Sequence, residues 1–162
     1  MIERLEQVDH SAIRVNQAAI IILLIAAFVI DVPWLVGIVA IVMLAGTFLG
    51  RPGFRWLYTG LLKPCGIVKP DVISDNPEPH IFAQGMGGTV LVLSVLGFIA
   101  GSAVIGWGLA WLVVALAALN LFVGFCAGCF VYYWLSRLHL PGFVANPPPG
   151  TFPGMRPHRK AG

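Results

Sequence analysis

Apolar residues fill this chain in four long blocks separated by short polar stretches, with no alternating strand pattern of comparable length. The blocks predict membrane-spanning helices over about 13–30, 33–50, 82–105 and 109–135, each close to the length needed to cross a hydrocarbon core. Asp31 suits a helix cap and Pro33 the first turn of the second helix, while Arg51-Pro52 ends it. Residues 53–64 mix Phe54, Trp56, Leu57, Tyr58, Leu61 and Leu62 with Arg51, Arg55 and Lys63, the make-up of a helix lying at the headgroups. A polar connector over 63–80 follows, broken by Pro64, Pro70, Pro77 and Pro79. The link between the third and fourth spans is placed at Gly106-Trp107-Gly108. The predicted fold is therefore all-α: an integral membrane bundle of four transmembrane helices in two hairpins, plus a short interfacial helix. Residues 1–12 are expected to be a helical or disordered cytoplasmic segment with Asp9, His10 and Ser11 able to cap the first span. Residues 139–162, with Pro147-Pro148-Pro149, are expected to form a disordered tail.

Composition agrees with a bilayer as solvent. Of 162 residues, 58% are hydrophobic and 10% charged, against about a quarter charged in soluble domains. All ten lysines and arginines fall before or at the mouth of the first span, in the central connector or after the fourth span. The hairpin tips carry none, which places both termini in the cytoplasm by the positive-inside bias. The net charge of +3 is spread over these loops and forms no nucleic-acid patch. The first apolar block lacks a small-residue cleavage site and reads as a retained span. Gly46/Gly50, Gly97/Gly101 and Gly124/Gly128 mark expected helix contacts.

Candidate chemistry centres on Gly124-Phe125-Cys126-Ala127-Gly128-Cys129. Two thiols three residues apart are within disulfide reach. With the fourth helix running through them, Cys126 and Cys129 would sit late in that helix, where its dipole opposes a thiolate. Arg14, Arg137 or His80 would then have to compensate. The supporting set is Arg14, Asn16, Gln17, His80 and Gln84, all expected at the cytoplasmic helix mouths, with Asn120 deeper. Three readings of the cysteines stay open: a redox dithiol, half a metal site completed by His80, His139 or Cys65, and plain packing. Redox is placed slightly ahead and no metal is assigned. For Gln17 and Gln84 the bland reading is hydrogen-bonding glue between helices. Tyr132, Tyr133 and Trp134 read as an interfacial aromatic belt, and Cys65 as unpaired. No phosphate-binding loop, Ser/His/Asp set, intramembrane carboxylate pair or cofactor motif is present.

Three motifs carry a family resemblance: Val8-Asp9 with Arg14-Val15-Asn16-Gln17; Pro79-His80-Ile81-Phe82-Ala83-Gln84 with Gly88; and Asn120 with Gly124–Cys129 and Tyr132. Together they resemble the domain-of-unknown-function family 4395, over roughly residues 8–138. The resemblance implies a small multi-span protein of a bacterial inner membrane. It also implies association with a thioredoxin-like or rhodanese-like protein, and hence thiol or sulfur chemistry. The alternatives are a small-solute carrier using Asn120 and a structural subunit without a site.

Overall fold

In the computed structural model, residues 6–138, 140–143 and 146–157 are described. The expectation for His139 and for the last basic residues, Arg159 and Lys160, falls outside them, as does that for Arg4. The described chain is mostly helical, with one small sheet. Helix α1 is His10–Val29, α2 Pro33–Phe48, α3 Arg55–Leu57, α4 Pro77–Ile99, α5 Ala103–Ala118 and α6 Ala127–Arg137. Two π-helical turns, Tyr58–Leu62 and Leu119–Val123, continue α3 and α5. Among the described residues, three stretches are long and apolar enough to cross a membrane: His10–Val29, Pro77–Ile99 and Ala103–Val123. Helix α2 is apolar but has 16 residues, about 24 Å at 1.5 Å per residue, shorter than the predicted second span.

Helix α4 is the central post. It packs on α2, α5 and α6, and α1 packs on α2 and α5. The main core is aliphatic, with Leu24, Val36, Val39 and Leu91 among its best-buried members. At the other extreme, large apolar side chains such as Ile22, Phe48, Val104 and Phe122 are exposed on the outside of the bundle. A surface of this kind suits lipid rather than water.

Several boundaries differ from the sequence-based expectation, each for a local reason. The second hairpin turns at Ala100–Ser102, not at Gly106–Gly108. Gly101 adopts φ +80°, and the Ser102 side chain accepts from the Ile105 amide at the start of α5. Gly106 lies inside α5, where its carbonyl accepts a 2.6 Å hydrogen bond from the buried Ser94 hydroxyl of α4. Asp31 is not a cap; it holds a left-handed turn at φ 49° and Val32 precedes α2. The N-terminal segment is neither helical nor disordered over Glu6–Asp9. That strand, β1, pairs antiparallel with β2, Val72–Asp75. Asp9 does cap α1 as expected, its carboxylate accepting from the Ser11 amide at 3.0 Å. The same carboxylate accepts from the Asp71 amide and the Tyr58 hydroxyl, so one side chain ties strand, helix and connector.

The largest departure is at the cysteines. The last apolar block is not one helix. It stops at Val123, Gly124 turns the chain at φ 75°, and α6 starts afresh at Ala127 with Cys126 as its cap. Gly124 and Gly128 thus sit on different elements and form no helix-packing pair.

The tail also differs. Its described part, 146–157, crosses the break between α5 and α6 instead of standing free. Met155 bridges Phe125, the Gly154 carbonyl accepts from the Cys126 amide at 2.7 Å, and the Arg156 amide donates to the Gly124 carbonyl at 3.0 Å. The Arg156 guanidinium pairs with Asp71. Breaking the helix exposes backbone amides and carbonyls, and the tail supplies their partners.

Candidate thiol site

Cys126 and Cys129 are joined by a disulfide with Cα atoms 5.2 Å apart. The capping geometry explains the placement. Cys126 has extended backbone angles, φ −97° and ψ 103°, so its side chain folds back over the first turn of α6. The Cys129 amide donates to Cys126 Sγ at 3.2 Å. The sulfurs therefore lie at a helix start, where unpaired amides and the dipole favour negative charge. This reverses the expectation that the dipole would oppose a thiolate.

Both cysteines are buried, at 5% and 3% exposure. Phe82, Ala83 and Phe143 pack against them and against Tyr132 and Tyr133. Tyr132 and Tyr133 thus belong to the wall of the site and not to an outward aromatic belt; only Trp134 of that trio is exposed. Gly128 permits the fit. A Cβ there would lie 2.5–2.6 Å from the Cβ and Cα of Ala83, so only glycine lets α6 seat this closely on α4.

Behind Cys129 stands a short relay. His80, in the first turn of α4, holds Nδ1 3.5 Å from Cys129 Sγ and Nε2 3.0 Å from Asp75 Oδ2. With Nε2–H donating to the carboxylate, Nδ1 is the lone-pair nitrogen facing the sulfur. The buried His10 brings its Nε2 to 3.0 Å from the same oxygen without hydrogen-bond alignment, and its ring meets that of His80 edge-on. Asp75 also accepts from the Asn76 amide at 2.8 Å. Burial alone would raise the Asp75 carboxyl. The two histidines and the Asn76 amide outweigh it and hold the group well below the ordinary carboxylate range.

Of the expected supporting residues, Asn16 and Gln84 serve structure. The Asn16 side chain donates to Gln84 Oε1 at 3.2 Å and accepts from the Phe54 amide at 2.9 Å. Gln84 accepts from the Gly53 amide and donates to the carbonyls of Met43 and Arg51. The pair fastens the end of α2 and the following turn to α1 and α4. Gln17 differs: it is 8% exposed and its Oε1 has no partner. Gln17, Asn120, His80 and Cys126 all line one cavity of about 380 Å³. Arg14 is exposed and is not among the residues lining it. Cys65 is a free, exposed cysteine in the connector.

Sequence reasoning missed Asp75 and the His10 contact. Their only signal was a buried carboxylate five residues before His80, which depends on the β1–β2 pairing. Among the described residues, two groups of side chains bring potential metal-binding atoms within 4.8 Å of one another: His80 with Cys126 and Cys129, and His10 with Asp75 and His80. The disulfide occupies both sulfurs of the first group, and Asp75 already holds hydrogen bonds in the second.

The profile of the family described as "Domain of unknown function (DUF4395)" matches residues 8–137. The chain belongs to this family. The match takes in the second half of β1, all of β2, the six described helices and the thiol site, and stops before the tail that crosses Cys126. No curated protein and no solved structure matches the chain. Among the described residues, this DUF4395 chain has three helices long and apolar enough to cross a membrane.

Proposed function

We propose that the protein is a membrane thiol–disulfide carrier in which Cys126 and Cys129 cycle between disulfide and dithiol. The observation that carries the reading is the position of the pair at the start of α6 with His80 and Asp75 behind Cys129. A helix start stabilises a thiolate at Cys126, and an imidazole oriented by a carboxylate handles the proton of Cys129. The inward packing of both sulfurs also argues against a bare structural subunit, whose cysteines would face lipid.

In the cycle, a partner thiolate bonds to Cys126 Sγ and the Cys126–Cys129 bond breaks. The electron pair goes to Cys129 Sγ, which takes a proton by way of His80. The partner's second thiol then attacks its own mixed-disulfide sulfur and releases Cys126 as a thiolate. The partner of this reading is a thioredoxin-like or rhodanese-like protein on the cytoplasmic face of a bacterial inner membrane. The described basic residues support that orientation. Arg14, Arg51, Arg55, Lys63, Lys69, Arg137 and Arg156 all belong to the end of the bundle that holds β1, β2, α3 and α6.

Thiol trapping in native membranes tests the reading. Cys126 and Cys129 should be protected from a maleimide reagent after diamide and labelled after dithiothreitol, with Cys65 labelled in both. Equal labelling of all three cysteines in both conditions would remove the proposal.

A further inference from the structure

The three cysteines of the chain are Cys65, Cys126 and Cys129, and Cys65 is exposed in the connector. The reduced pair therefore has no second dithiol within the chain to which it can pass electrons. The cavity beside it is built for a different acceptor. It enters the bundle between α1, α2, α4 and α5, and its inner wall is apolar, with Ile20, Met43, Val113 and Leu116. Its volume of about 380 Å³ falls within the usual range of small-molecule sites, roughly 300–1,000 Å³. Four helical amides line it as well, Asn16, Gln17, Gln84 and Asn120, and of these Asn16 and Gln84 are already bonded to each other. Gln17 is more than nine-tenths buried, and its Oε1 lacks a donor. An unpaired buried acceptor is costly, and a ligand carrying a hydroxyl would satisfy it. Cys126 lines the same cavity, whereas Cys129 lies behind it against His80.

We infer that this cavity binds a lipid-soluble quinone, which takes the two electrons of the reduced Cys126–Cys129 pair. The inference rests on the redox reading above and names its oxidant. A quinone matches each feature: it is lipophilic, its two oxygens accept hydrogen bonds when oxidised and donate them when reduced, and it takes two electrons with two protons. Gln17 Oε1 accepts from the hydroxyl of the reduced ring, and the Asn120 amide donates to the carbonyl of the oxidised one. The step balances. Two S–H bonds break and one S–S bond forms; the sulfurs are oxidised by two electrons. The ring is reduced by the same two, and its two carbonyl oxygens gain the two protons, the one from Cys129 leaving through His80.

The test uses the full chain, reduced and free of reductant, in phosphatidylcholine nanodiscs. Decylubiquinone is added, and hydroquinone is followed by absorbance while thiols are counted by maleimide mass shift. A parallel arm uses diamide, which needs no binding site. The expected result is one hydroquinone per disulfide formed. Gln17→Leu and Asn120→Leu should each raise the half-saturating quinone concentration about tenfold, the worth of one lost hydrogen bond. In both variants diamide should close the disulfide at the native rate, which shows that the site is folded. Oxidation by diamide but not by decylubiquinone would overturn the quinone site and leave the dithiol reading standing, as would identical quinone dependence in the native protein and both variants. Failure of both oxidants to close the disulfide would overturn the redox reading itself.

Discussion

Among single residues, the proposed thiol exchange depends on a proton path as well as on the sulfurs. His80 touches Cys129 on one side and Asp75 on the other, so in the proposed exchange Asp75 is a positioning residue that acts through His80. His80→Gln should slow thiol–disulfide exchange at neutral pH by about 100-fold, the low end of what positioned acid–base groups supply. Asp75→Asn should slow it less and flatten its pH profile, a change that a packing role would not produce. Asp75 also bears on stability. Its carboxyl lies below the ordinary range when folded, so its contribution is complete above about pH 4, the ordinary aspartate value. That contribution is lost as the pH falls towards the depressed value. Acid unfolding of Asp75→Asn should accordingly show a shallower pH dependence below pH 4. Tyr58 works in the opposite direction. Burial, then the hydrogen bond to Asp9 and its charge, push the hydroxyl up to about 12. Stability from the neutral phenol is intact below about pH 10 and lost as the pH rises through about 12. Tyr58→Phe should remove that alkaline dependence while costing roughly 1.5–3 kcal/mol at neutral pH for the lost bond to a carboxylate. Denaturant melts across pH check both.

At the scale of elements, two glycines set where the disulfide sits. Gly124 turns the chain at a positive φ, and an alanine there would cost roughly 1–2 kcal/mol. Gly128 lies where any side chain meets Ala83 backbone. Gly128→Ala should cost about 1–3 kcal/mol by overpacking and push α6 away from α4, lengthening the approach of Cys129 to His80. Exchange by the folded variant should fall accordingly, measured beside its thermal melt. These elements show what the sequence could tell. The four apolar blocks gave the helices, Asp9 gave the first cap, and Cys126 with Cys129 gave the pair. The break at Gly124 was hidden because Phe122, Val123 and Phe125 keep the run apolar across it, and a lone glycine in an apolar run reads as packing. Read from the sequence, the sulfurs therefore fall at a helix end instead of a helix start, which reverses the sign of the dipole. Asp75 was unreadable for another reason: it reaches His80 only because Glu6–Asp9 pairs with Val72–Asp75, a long-range pairing of two short strands without periodicity enough to announce them.

In the molecule as a whole, a bundle with apolar outer walls carries these polar devices at one end. The Asn16–Gln84 network, the β1–β2 pair, the Asp9–Tyr58 tie and the tail across Cys126 all gather there. The tail lies beyond the region matched by the family, yet it supplies the carbonyl that satisfies the Cys126 amide. The proposed cycle needs a thiol pair activated by a helix start and a histidine. The most direct test is the rate of iodoacetamide alkylation of the reduced protein in nanodiscs as a function of pH, resolved by peptide mass for Cys126 and Cys129. Cys126 should alkylate with a midpoint well below the free-cysteine value of about 8.5, and His80→Gln should suppress the pH response of Cys129. Midpoints at or above that value for both cysteines, unchanged by His80→Gln, would contradict the proposed cycle.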